Sequence, residues 1–301
     1  VAMLRNPVAG DDPPPAMFSD APGETMRPPG VYPGLTRGEY EAIAALNFSI
    51  LGLFATPSTP AHARYRWLHP PEGSAAQELG ARVHLAVLEP QRFRSAFIPA
   101  PKIDRRTTEG KAAWKALEAQ LTPGVSLIAE ADWRQVQAMA EAVYAHPTAA
   151  QLMGGVGLNE LSIVWEHPDE GQRCKARLDR VSAFGGYPFV TELKTCARAS
   201  DREFARACFD YGYHRQLAWY VDGLEILKPA GRRAAIVAVE NTPPYCVRAF
   251  ELQDRALEQG RRENAESLVL YGACFRSNTW PGYPADLTLL DLPAWAVDRL
   301  D

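Results

Sequence analysis

Residues 175–195 read KARLDRVSAFGGYPFVTELKT, and the fold turns on how this stretch divides. Side chains alternate with a period of two on both sides of Gly185-Gly186, a turn signal, so residues 175–181 and 188–194 are expected as antiparallel strands of a hairpin. Charges interrupt the apolar pattern at two places: Asp179 in Arg177-Leu-Asp-Arg180, and Glu192 with Lys194 in Thr191-Glu-Leu-Lys-Thr195. Glu192 and Lys194, two apart, leave the same face of their strand, and Asp179 can meet them across the hairpin. Two carboxylates and an ammonium in a half-buried place are costly, and a bound divalent cation would offset that cost. Oxygen ligands of this kind suit Mg²⁺ or Mn²⁺, and the ammonium can hold or activate a water beside a scissile phosphate.

Working outward, residues 161–165 read as a third strand before the Asp169-Glu-Gly171 turn, followed after the hairpin by a long helix over 201–227. Strands at 234–240 and 245–252 flank Asn241-Thr-Pro-Pro244, and a helix over 254–271 leads to an irregular, aromatic C-terminus. The first 150 residues are mainly helical. Thr36-Arg-Gly-Glu39 resembles a capping box; residues 77–88 carry Leu79, Val83, Ala86 and Val87 on one stripe; further helices start at Gly110 and Asp132. Residues 1–35 hold eight prolines and four glycines and are expected as a flexible tail. The expected fold is therefore α/β, a mixed central sheet flanked by helices with a helical N-terminal part. It forms one domain over 36–301, helical over 36–150, catalytic sheet and helix over 151–260, and a C-terminal helix and irregular segment over 261–301.

Composition narrows the class. With 47% hydrophobic and 23% charged residues the chain has the balance of a soluble globular protein. Its longest apolar run, SILGLFA at 49–55, falls short of the ~20 residues that cross a bilayer. No apolar signal-peptide core opens the sequence, so an intracellular, cytoplasmic location is expected. Five scattered cysteines without a Cys-x-x-Cys argue against a disulfide framework or a zinc site. A net charge of −4 leaves any polyanion site to a local patch, for which Arg92, Arg94, Lys102, Arg105, Arg106, Lys111 and Lys115 are candidates, a solvated loop being the alternative. Glu109-Gly-Lys111 repeats the acid-x-Lys pattern, but at a polar helix start, where it reads as a solvated cap. Glu192 and Lys194 alone would also fit a surface cross-strand ion pair; Asp179 on the preceding strand disfavours that reading.

The order Glu160, Asp179, Glu192-x-Lys194 resembles the PD-(D/E)XK nuclease superfamily. Gly80-Ala-Arg-Val-His84 looks like the G-x-x-x-H motif of its RecB-like and phage exonuclease branch, and Gln216-Leu-Ala-Trp-Tyr220 like that branch's Q-x-x-x-Y motif. Ser49, Pro60-Ala-His-Ala-Arg-Tyr65, Arg105-Arg-Thr-Thr-Glu-Gly-Lys111 and Trp280-Pro-Gly-Tyr283 are similar to RecE-like (exonuclease VIII type) phage and prophage proteins, over about residues 30–297. The resemblance implies that Asp179 and Glu192 bind metal with the Leu193 carbonyl, that Lys194 positions the nucleophilic water, and that His84 ligates or orients a second metal. Glu160 would act through water. Gln216 and Tyr220, one helical turn apart, would hold a DNA phosphate or fix Lys194. Ser49, with Arg64 and Arg66, would grip a terminal 5′-phosphate, and Arg105 and Arg106 would line the DNA path; for Ser49 a helix cap or core role is the alternative.

The function so implied is Mg²⁺-dependent 5′-to-3′ digestion of linear duplex DNA ends in a bacterial host cytoplasm, leaving 3′ tails for a phage-type single-strand-annealing protein. A ring of three or four copies and no membrane partner are implied as well. The iron–sulfur relatives of the branch are disfavoured, since no cysteine precedes Cys174 and no late trio follows. A restriction or repair endonuclease, and a silent DNA-end-binding module, remain as alternatives.

Overall fold

In the computed structural model, which describes residues 25–55, 57–101, 103–104 and 106–293, the chain enters through a short strand, β1 (Gly30–Tyr32). Thr36 then caps α1 (Arg37–Glu41): its hydroxyl accepts from the Glu39 N–H while the Glu39 carboxylate accepts from the Thr36 N–H at 2.8 Å. After α2 (Phe48–Leu51) and a 3-10 turn come α3 (Pro60–Leu68), α4 (Ala75–Leu88) and α5 (Pro90–Ala96). Two strands the sequence pattern did not suggest, β2 (Phe97–Ala100) and β3 (Ser126–Ala129), pair in parallel across α6 (Thr108–Glu118). α7 (Glu130–Ala145) and α8 (Pro147–Gly154) close the helical first half.

The second half follows the expected order: β4 (Gly157–Glu166), β5 (Arg173–Phe184), β6 (Tyr187–Cys196), α9 (Asp201–Asp210), α10 (Tyr213–Leu227), β7 (Arg233–Glu240), β8 (Val247–Glu251) and α11 (Asp254–Ser277). Gly185 and Gly186, at φ 59° and 85°, make the left-handed turn that folds β5 back on β6. The expected single helix over 201–227 is two. Gly212, at φ 69°, breaks the chain between α9 and α10, while the apolar stripe resumes on the far side and hides the break from periodicity.

The six-stranded sheet runs β1-β4-β5-β6-β7-β8, antiparallel except for β6 and β7, which are parallel and joined by the α9–α10 crossover. Helices cover both faces, and β7 shows why its sequence is nearly continuous in apolar residues: Ala234, Ile236 and Ala238 join the core under α10 and α11, whereas Ala235, Val237 and Val239 join the core under α4, α7 and α8. α10 and α11 approach closely at Gly260, where a Cβ would stand 2.6 Å from the His214 carbonyl oxygen. All five cysteines are free thiols. No helix among the described residues is long and apolar enough to cross a membrane.

The tail expected over 1–35 is corrected in its described part. Gly30–Tyr32 pairs antiparallel with residues 162–164 of β4, and Thr25 exchanges backbone hydrogen bonds with Ala42 and Ala44. An edge strand uses backbone groups along one side only, so the prolines around it do not forbid it. Residues 1–24 lie outside the described residues.

Candidate active site

The hairpin ladder fails at one place. β5 and β6 pair from Phe184↔Tyr187 to Arg180↔Thr191 and then part, although both strands continue. Leu178 lies in the core under α10, yet Ser182 donates to the Leu152 carbonyl of α8 on the opposite side. Residues four apart in a strand share a face, so the alternation slips between them, at Asp179 and Arg180. On the neighbouring strand Glu160 sits at φ 52°, a left-handed conformation that costs a non-glycine residue roughly 1–2 kcal/mol. Backbone distortion thus gathers where the sequence placed its acids.

Asp179 mends the parted ladder. Its Oδ2 accepts from the Leu193 N–H at 2.9 Å, and the same oxygen is 3.4 Å from Nδ1 of His84, which reaches in from α4. Glu192 Oε1 accepts from Lys194 Nζ at 2.8 Å and from Gln216 Nε2 at 2.9 Å. Lys194 Nζ also donates to Gln216 Oε1 at 2.9 Å, and Gln216 Nε2 reaches the Tyr220 hydroxyl at 2.8 Å. The Tyr213 ring lies 4.7 Å from the ammonium. Arg177, which the sequence reading did not single out, donates to Glu160, to the Leu35 carbonyl and to Ser162; its only sequence signal is a cation two positions before Asp179.

Burial sets the charges against one another. Asp179 and Glu192 are 8% and 3% exposed. Burial, reinforced by the Asp179 charge, pushes the Glu192 carboxyl up to about 7. Asp179 itself is held below its ordinary value: burial opposes this, but His84, Lys194 and the Leu193 N–H outweigh it. Burial and Asp179 raise Glu160 against the pull of Arg177. His84 and Lys194 both stay more basic than usual, because the carboxylates overcome their own desolvation. Lys194 is therefore a charged donor rather than a base.

Glu192 Oε2 is buried without any hydrogen-bond partner, which a buried carboxylate oxygen tolerates poorly. A hard divalent cation fits this donor set: the donors are carboxylate oxygens, with His84 alongside. Among the described residues no three His, Cys, Asp or Glu side chains form a ready metal cluster.

A comparison with protein families matches residues 54–291 to the PDDEXK-like domain of unknown function, DUF3799. The chain belongs to this PDDEXK-like family. Among solved structures, one described as "Putative exonuclease" from Eubacterium rectale is 16% identical, with a TM-score of 0.52 over 80% of this chain and 91% of that one. At that identity the likeness speaks to the fold alone. SSO0001 (16% identity, 63% of this chain and 74% of that one, TM-score 0.28) and VC1899 from Vibrio cholerae (13%, 79% and 59%, 0.23) are too distant to carry an argument. The comparison with curated proteins gives no match.

By its own geometry the fold brings together Asp179, Glu192, Leu193, Lys194, His84, Glu160, Gln216 and Tyr220. The expected DNA contacts fare differently. Ser49 is exposed on α2, whose cap is Asn47 rather than Ser49. Arg66 is exposed on α3. Arg64 is not an open phosphate contact: it is 4% exposed, its guanidinium stacked 4.9 Å from the Trp280 ring and donating to Asn278. The spacing that puts Arg64 and Arg66 two apart on a helix turns them to different sides. Arg106 is exposed and paired with Asp104 at 3.0 Å, while Arg105 and Lys102 lie outside the described residues. The repeated acid-x-Lys triplet, Glu109 and Lys111, is exposed in the first turn of α6 behind its Thr107 cap.

Proposed function

We propose that this chain is a metal-dependent deoxyribonuclease of the RecE-like (exonuclease VIII) type, digesting linear duplex DNA from its ends in the 5′-to-3′ direction. The observation that carries the reading is Glu192: buried, with Oε1 committed to Lys194 and Gln216 and Oε2 left without a partner beside Asp179. Mg²⁺, or Mn²⁺ in its place, would be held by Asp179, Glu192 and the Leu193 carbonyl with His84 alongside, and would supply a polarised water and charge stabilisation at the phosphate.

The chain's own residues do the rest. Of the three N–H donors on Lys194, two are taken by Glu192 and Gln216, leaving one for the attacking water or a phosphate oxygen. Gln216 and Tyr220 fix that ammonium in place and keep its direction. Attack of the water oxygen on phosphorus breaks the bond to the 3′-oxygen, which takes up a proton and leaves as the 3′-hydroxyl of the released nucleotide, while the 5′-phosphate stays on the new end of the remaining strand. Ser49 and Arg66, both exposed, are the remaining candidates for the terminal 5′-phosphate, with Arg105 and Arg106 along the duplex. The same reading calls for a single-strand-annealing protein to take the 3′ tail, a ring of three or four copies around the duplex, and a host-cytoplasmic setting.

The test is digestion of linear duplexes labelled at either end, and of a closed circle, with Mg²⁺ or with EDTA. Release of 5′-label first, an intact circle and silence in EDTA are expected. A nicked or linearised circle would instead support a restriction or repair endonuclease, and end binding without cleavage a silent module.

A further inference from the structure

α9 lies beside the site yet buries only Phe204, which anchors the helix by stacking on Phe250 of β8 at 4.8 Å with planes 2° apart. Arg202, Arg206 and Phe209 follow one another at i, i+4 and i+7, so they form a single stripe, and all three are exposed. Just past the helix end comes Tyr211. Phe209 and Tyr211 are 66% and 71% exposed, two large rings left in water where the chain turns through Gly212.

Each ring is braced from one side. Phe209 stacks on His214 at 5.8 Å and 14°, and Tyr211 stacks on Tyr213 at 5.7 Å and 27°. Tyr213 is the ring that lies 4.7 Å from Lys194 Nζ. One aromatic ring, Tyr213, therefore separates the exposed face of Tyr211 from the Lys194 ammonium. The acids at the start of α9 are engaged elsewhere, Asp201 with Arg248 and Glu203 with the Ser200 cap. Arg206 pairs with Asp210 at 3.3 Å in the open, a kind of contact worth little in water and readily exchanged for a phosphate.

We propose that Arg202, Arg206, Phe209 and Tyr211 form a track for a single DNA strand, with the arginines on phosphates and the two rings stacked on unpaired bases next to the scissile phosphate. This rests on the nuclease reading above and sharpens its substrate: the strand at Lys194 is unpaired, so a duplex end must open before it is cut. Stacking suits this place because every base offers a flat face, which permits grip without sequence readout. One exposed ring on the stripe of the two arginines and a second just past the helix end combine the features a single strand needs, π-faces and positive charge.

Binding of a single-stranded oligonucleotide carrying 2-aminopurine, measured in EDTA, tests the track without requiring cleavage. Binding to the parent protein should quench the fluorescence. Phe209→Ala and Tyr211→Ala should each weaken binding by at least ~5-fold and relieve the quenching, while Tyr211→Trp keeps both. Tyr187→Ala removes a ring of 50% exposure at the far end of β6 and should behave as the parent. In Mg²⁺, ends with a 5′ single-stranded overhang should be cut faster than blunt ends, and Tyr211→Ala should erase that advantage. Parent-like binding and quenching by folded Tyr211→Ala, or no quenching by the parent, would overturn the track and leave this face to a protein partner. Quenching that follows the variants in a protein that never cleaves DNA would uphold the track and defeat the nuclease reading instead.

Discussion

At Glu192 burial works against charge, and that conflict is measurable. A carboxyl whose folded pKa lies above its unfolded value holds its proton more tightly in the fold, so the metal-free protein loses stability as pH rises from the ordinary carboxylate range toward about 7. Asp179, held low, contributes the opposite dependence at more acid pH. Glu192→Gln keeps an acceptor for Lys194 and Gln216 but carries no charge. Thermal melts in EDTA should show the variant and the parent equal near pH ~4 and the variant more stable by roughly 1–3 kcal/mol near pH ~8. An advantage that shrinks as pH rises would contradict the buried-carboxylate account. Lys194 separates chemistry from ligation: Lys194→Ala should abolish turnover while calorimetry still detects Mg²⁺, whereas Lys111→Ala, in the exposed triplet of α6, should cut at nearly the parental rate. Asp179, Glu192 and Lys194 were legible because charge in an apolar strand stands out. The Arg177 clamp and the left-handed Glu160 were not, because backbone distortion at a parted ladder arises from tertiary pairing that no local pattern encodes.

At the scale of elements, alternation and helical periodicity located β4, β5, β6, β7 and α11, while short pieces escaped. β1, β2 and β3 have three or four residues each, too few to display a period. The break at Gly212 escaped for a different reason, since a two-residue turn leaves the apolar stripe of α9 and α10 nearly in phase. α3 shows how a motif residue can serve packing. Arg64 fills the space between α3 and Trp280, so Arg64→Ala should lower the melting temperature, at a cost of about 1–3 kcal/mol, and leave any preference for 5′-phosphorylated ends unchanged. A lost preference in a protein of parental stability would return Arg64 to the DNA.

At the scale of the whole molecule, the sheet carries the carboxylates, α10 fixes the lysine from one face and α4 brings His84 from the other, so the site assembles only when both helical layers are in place. At a net charge of −4 the proposed DNA contact would need a local basic surface, whereas the proposed metal site needs only Asp179, Glu192 and their neighbours. The most direct measurement compares parent and Asp179→Ala on an end-labelled linear duplex across a Mg²⁺ titration. Mg²⁺-dependent cleavage by the parent, with a loss of at least ~10²-fold in a variant that melts at or above the parental temperature, is the predicted result. Equal cleavage by the two proteins, or cleavage by the parent that persists in EDTA, would contradict it.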